Sequence, residues 1–89
     1  MNLHMEKAIQ FLEKKAIDSK DIMDVFEEIG KNGDRILLKY DGSRGSNPFT
    51  VVITVADSSE IHFRSDSSTF ENAFESTLHP YISHKLTKS

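Results

Sequence analysis

Cysteine is absent from this chain, and its absence removes several kinds of chemistry at once. Without thiols there is no disulfide framework, no thiolate zinc site and no cysteine nucleophile. The expectation is therefore a reducing, cytoplasmic setting. Tryptophan is missing too, and only two prolines and four glycines punctuate the sequence. Apolar runs reach only a few residues, far short of the roughly 20 that a helix needs to cross a bilayer, so no membrane partner is expected. The first charged residues lead into an amphipathic pattern, where a secretory leader would carry an apolar block of about 7–15 residues. Charge of one sign is scarce as well. A formal net charge of −3 is too mild to make the whole chain an electrostatic ligand for nucleic acid or an anionic membrane.

What is present is globular in character: 89 residues, 37% hydrophobic and 28% charged, with six phenylalanines. Residues 1–89 are expected to form a single domain that buries roughly 60–65% of its unfolded surface and leaves little room for an enclosed active site. His4-Met5 is what the cloning site CATATG encodes, so residues 1–4 are expected to be a cloning remnant ahead of a native start at Met5. Residues 85–89 read as a frayed tail.

From Met5 the apolar positions Met5, Ile9, Leu12 and Ala16, with Ala8 and Ile17 beside them, follow helical spacing between Glu6, Lys7, Glu13, Lys14 and Lys15. Asp18-Ser19 interrupts the pattern and offers N-caps for a second helix with the stripe Ile22, Val25, Phe26 and Ile29. At about 100° per residue, Asp21, Asp24, Glu27 and Glu28 fall on its opposite side. Gly30 is expected to take the left-handed position that ends this helix, with Asn32-Gly33 as a following turn.

Arg35 to Tyr40, Phe49 to Ala56 and Ile61 to Ser65 then alternate as strands. An eight-residue loop, Asp41 to Pro48, and a short turn, Asp57 to Glu60, connect them. Ser68 answered by Glu71 reads as a capping box for a closing helix with the stripe Phe70, Ala73, Phe74, Thr77 and Tyr81. Pro80 is expected to kink that helix or end its first part near Leu78. The fold class expected is α+β, in the order α-α-β-β-β-α. A three-stranded antiparallel meander would carry helices packed on one face. By parity Ile36, Leu38, Tyr40, Phe49, Val51, Ile53, Val55, Ile61 and Phe63 face the core. Arg35, Leu37, Lys39, Thr50, Val52, Thr54, His62 and Arg64 face away.

No pattern for chemistry emerges. The histidines His4, His62, His79 and His84 make no i,i+4 pair on a helix, so no metal is expected. Ser43 and Ser46 lie in turn sequence and not in a nucleophile elbow. Gly42-Ser43-Arg44-Gly45 lacks the Lys-Ser/Thr and following helix of a phosphate loop. Neither catalytic residues nor a cofactor are expected.

From the second helix onward the order α-β-β-β-α resembles that of a double-stranded-RNA-binding domain. The stretch Asn47 to Val55 is similar to that family's second strand, and the closing helix falls where its last helix would. The resemblance implies a degenerate nucleic-acid-binding domain. That family grips phosphates with lysines at the start of its last helix, where this chain has Ser67-Ser68-Thr69-Phe70-Glu71-Asn72. Its Gly-Pro-x-His turn is matched here by Gly45-Ser46-Asn47-Pro48, without the histidine. Missing those cations, the chain lacks the salt-dependent term that dominates such binding.

Two surfaces remain as candidates for binding another protein. One is the acidic helix face, Asp21, Asp24, Glu27 and Glu28, suited to a basic partner. The other is the open sheet face, where Arg35, Lys39, His62 and Arg64 surround Leu37 and Val52, with an apolar centre and an Arg-rich rim. The loop residues Asp41 and Arg44 are adjuncts to either. The function expected is a small non-enzymatic protein-binding module of the inhibitor or immunity type. The edge strands also offer a route to a homodimer.

Overall fold

Three strands, β1 (Arg35–Tyr40), β2 (Phe49–Thr54) and β3 (His62–Ser67), form one sheet in the order β1-β2-β3. Both pairings are antiparallel, so the strands make a meander. The computed structural model describes residues 4–13, 18–56 and 61–88. Ala16, Ile17 and the turn from Asp57 to Glu60 lie outside the described residues. Opposite residues line up as Leu37, Val52 and Arg64 in one row and Ile36, Ile53 and Phe63 in the next. This register places Val51, Ile53 and Val55, all fully buried, on the face that carries the helices.

The helices are α1 (Glu6–Glu13), α2 (Ser19–Lys31) and α3 (Phe70–Lys88), completing the α-α-β-β-β-α order of an α+β fold. α3 packs against β2 and β3, α2 against β1, and α1 against α2 and α3. Their buried residues join the sheet in one core that includes Ala8, Phe11, Val25, Ile29, Ala73, Phe74, Leu78 and Tyr81. Phe74 is its aromatic centre, with ring centroids of Phe11 at 4.8 Å, Phe70 at 5.2 Å and Phe26 at 5.7 Å. Thr77, also fully buried, donates its hydroxyl back to the Ala73 carbonyl at 2.8 Å, so its polar atom enters the core already bonded.

The helix ends match the expectation at Asp18 and differ elsewhere. Asp18 caps α2 in a reciprocal box with Asp21, each carboxylate accepting the other's backbone N–H at 3.0 Å. At the other end Gly30 stays inside the helix and Gly33, at φ 86°, takes the left-handed position. Gly33 N–H donates to Gly30 and Asp34 N–H to Ile29, the paired bonds of a Schellman turn. α3 is capped by Thr69 and not Ser68, its hydroxyl accepting from the Asn72 N–H at 3.2 Å.

Pro80 neither ends nor divides α3, which runs on through the segment expected to fray as far as Lys88. The N–H that proline lacks would have met the carbonyl of Ser76, on the exposed side of the helix, where water can serve instead. On the buried side Leu78, Tyr81 and Ile82 hold both halves to the sheet. α1 is also turned relative to expectation. Met5, Ala8 and Phe11 are buried, whereas Ile9 is 37% exposed, because Phe11 inserts against Phe74.

β1 departs most from the expected core. Leu38 and Tyr40 share a face with Val51, yet they are 42% and 63% exposed. α3 lies over β2 and β3, and of the three strands α2 meets only β1, where Ile36 is half-buried. The helical layer is narrower than the sheet, so the far end of β1 is left uncovered.

Candidate functional site

The four carboxylates expected to form an acidic face do not make one. Asp21 is committed to the N-terminal box of α2, and Asp24 is half-buried with the Lys20 ammonium at 3.2 Å. Glu27 is exposed. Glu28 is only 8% exposed, and its carboxylate accepts the backbone N–H groups of Lys7 at 2.7 Å and Ala8 at 2.8 Å. Those are orphan donors in the first turn of α1, where the helix dipole also favours a negative charge. Glu28 is therefore a cap supplied by one helix to another, with each charge-assisted bond contributing on the order of 1.5–3 kcal/mol. Lys7, Lys20 and Lys31 border the remaining acids and break up the negative field.

A second buried polar cluster joins three parts of the fold. Asp34, whose side chain is 1% exposed, lies between the Gly33 turn and β1. It accepts from Ala56 N–H at 2.9 Å, the Tyr81 hydroxyl at 2.5 Å and the Lys85 ammonium at 2.9 Å. Asn32 extends the network, donating to Tyr81 at 3.1 Å and pairing with both backbone groups of His4. The segment read as a cloning remnant thus contributes His4 to the folded network. Burial first, and then the hydrogen bond to Asp34, push the Tyr81 phenol well above its usual range. A raised folded-state pKa means the stabilisation is complete below the unfolded phenol's value of about 10 and is lost as pH rises beyond it. Tyr81→Phe should therefore flatten the alkaline limb of stability measured by urea melts between about pH 8 and 11. An unaltered alkaline slope would remove Tyr81 as its source.

The open sheet face carries no helix among the described residues. Leu37, 62% exposed, stands at its centre beside half-buried Val52, and together with Arg35 and Thr54 they line a shallow depression. Around it Arg35, Lys39, His62 and Arg64 are all exposed. His62 Nδ1 lies 3.0 Å from the Thr54 hydroxyl, which orients the imidazole along the sheet. At one end Asp66 accepts the Thr50 hydroxyl and meets Arg44 at 3.1 Å and Arg64 at 3.5 Å. The Thr50 bond first, and then Arg44, hold its carboxyl below the usual carboxylate range. Asp66 thereby folds Arg44 back from the loop onto the face, while the Arg44 guanidinium also donates to the Asn47 carbonyl at 3.0 Å. Asp41 is a turn former, accepting from both the backbone and the hydroxyl of Ser43.

The structure thus keeps Arg35, Lys39, His62 and Arg64 together, adds Arg44 and Asp66 to them, and disperses the acidic set. Nothing local in the sequence marks Asp66; only the register that sets it opposite Thr50 reveals it. Among the described residues no three His, Asp or Glu side chains gather as metal ligands, and no helix is long and apolar enough to cross a membrane. The first turn of α3 offers Phe70, Glu71 and Asn72, so no cation there could meet a phosphate. Comparisons with protein-family models, with curated proteins and with solved structures found no match to this chain.

Proposed function

We propose that this chain is a non-enzymatic protein-binding module that acts through its open sheet face, as an inhibitor or immunity-type protein does when it blocks a target. The observation that supports the reading is Leu37, 62% exposed at the centre of a face rimmed by Arg35, Lys39, His62 and Arg64. An apolar centre surrounded by basic side chains suits a partner that presents an apolar side chain within an acidic rim. The rim charges would govern association rate and salt sensitivity, and the centre would govern dissociation.

The test compares three baits in extracts of the native source: the unmodified chain, Leu37→Glu, and Arg35→Glu with Arg64→Glu. A partner retained by the unmodified chain and lost by both variants is expected, together with slowed exchange of β1 and β2 amides in the isolated complex. Equal retention by all three baits would exclude this face.

A further inference from the structure

The two edges of the sheet are unequal. β3 ends the sheet with His62, Arg64, Ser65 and Asp66, a polar row that discourages another strand. β1 ends it with Leu37 62%, Leu38 42% and Tyr40 63% exposed, spread over both faces. Its hydrogen-bonding phase follows from one bond: Asp41 N–H donates to the Pro48 carbonyl. Antiparallel pairs alternate between bonded and non-bonded, so Arg35, Leu37 and Lys39 turn their backbone groups toward β2. Ile36, Leu38 and Tyr40 turn theirs outward, away from the sheet.

We propose that β1 pairs antiparallel with β1 of a second copy of this chain about a twofold axis at Leu38, joining two three-stranded sheets into one of six strands. This inference concerns the edge of β1 and does not rest on the reading of the open face, although Arg35, Leu37 and Lys39 belong to both. Outward-directed residues can bond only with outward-directed residues, which leaves few registers. Centring on Leu38 matches Ile36 with Tyr40 of the second copy and Leu38 with its own counterpart, so every outward group of β1 is bonded. It also puts Ile36, Leu38 and Tyr40 of both chains side by side on the helix-bearing face, where the narrow helical layer leaves Leu38 and Tyr40 exposed.

Charge selects the same register. Opposite Arg35 it sets Asp41 of the second copy, a carboxylate that the Ser43 bonds hold below its usual range and hence charged. Lys39 falls opposite Leu37, whose side chain its methylene stem can cover. The neighbouring register, centred on Leu37, would oppose Arg35 with Lys39 and leave Tyr40 facing Asp34, whose carboxylate is buried. Like charges directly opposed across a sheet destabilise it.

Sedimentation equilibrium of the unmodified chain should show a reversible, concentration-dependent doubling of mass. Arg35→Asp alone opposes two carboxylates and Asp41→Arg alone opposes two guanidinium groups, so each variant should remain monomeric. An equimolar mixture of the two restores both attractive pairs and should again show the doubled mass. Because the chain contains no cysteine, single thiols give a second readout that does not depend on the loop tolerating Asp41→Arg. Leu38→Cys should oxidise to a covalent dimer, its Cα separation of about 5.5 Å lying within disulfide range, while Leu37→Cys should not. A monomeric mass at every concentration would overturn the pairing, and faster crosslinking at Leu37 would overturn the register. Leu37→Glu leaves the bonded pairs and the Arg35–Asp41 contacts in place, so loss of partner retention in that variant with the doubled mass intact separates this interface from the open-face reading.

Discussion

Asp34→Ala is expected to lower the unfolding free energy by about 3–5 kcal/mol, the range for breaking a buried ion pair by deleting one partner. The carboxylate holds the end of α2, the end of β2 and α3 to one point through Ala56, Tyr81 and Lys85. Its removal leaves the Lys85 ammonium, 13% exposed, without its counter-charge, and leaves the Ala56 N–H without that acceptor. Tyr81 keeps only the bond it accepts from Asn32. Asp34→Asn retains an acceptor but not the charge and should cost less than alanine. Lys85→Met strips the charge from the other side and should cost least, because Asp34 still accepts two bonds. Combining Asp34→Ala with Lys85→Met should cost less than the sum, since the second change removes the stranded ammonium. Urea melts at neutral pH with unchanged m-values would measure the series. A loss below about 1 kcal/mol for Asp34→Ala would mean the cluster contributes no more than an ordinary surface contact.

Element order and strand faces were legible in the sequence because they depend on local periodicity. The alternation that buries Val51, Ile53 and Val55 and the stripe Val25, Ile29 place those residues correctly without knowledge of anything distant, whereas Thr50, expected to face away, is 3% exposed beneath its bond to Asp66. Glu28 shows where that reasoning stops. The helical wheel sets it away from the apolar stripe, yet it is buried by the arrival of the α1 N-terminus, 20 or 21 residues away in the chain. Asp34 and Tyr81 are 47 residues apart, so neither reads as half of a buried pair. Leu38 and Tyr40 have core parity but not core burial, because the width of the helical layer is a tertiary quantity. The same misreading bears on function. Periodicity counts a structural cap among the binding carboxylates and assigns Leu38 and Tyr40 of the β1 edge to the core. Arg35, Lys39, His62 and Arg64 were legible as a set because strand parity alone assembles them.

Phe74→Ala is expected to have the other largest effect, about 3–5 kcal/mol, by leaving a cavity where a fully buried ring stood. The ring meets Phe11 edge-on, Phe26 edge-on and Phe70 nearly stacked, and each such pair adds roughly 0.5–1.5 kcal/mol beyond area burial. Those three partners come from α1, α2 and the start of α3, so one side chain ties the helical layer together. α1 depends on it most. Eight residues are too few for a stable isolated helix, and α1 is held through Phe11 on Phe74 and through its Glu28 cap. In the variant, α1 should open before the sheet does. Hydrogen exchange would then show protection lost first at the amides of residues 9–13, while Val51 and Ile53 still exchange only by global unfolding. Phe26→Ala is the comparison: Phe26 is half-buried and touches Phe74 from α2, so its removal should cost less and leave α1 protected. If the two variants lost equal stability with α1 protected in both, Phe74 would be one core residue among many. If α1 opens selectively in Phe74→Ala, α1 is a module docked on an otherwise self-sufficient sheet and helix pair.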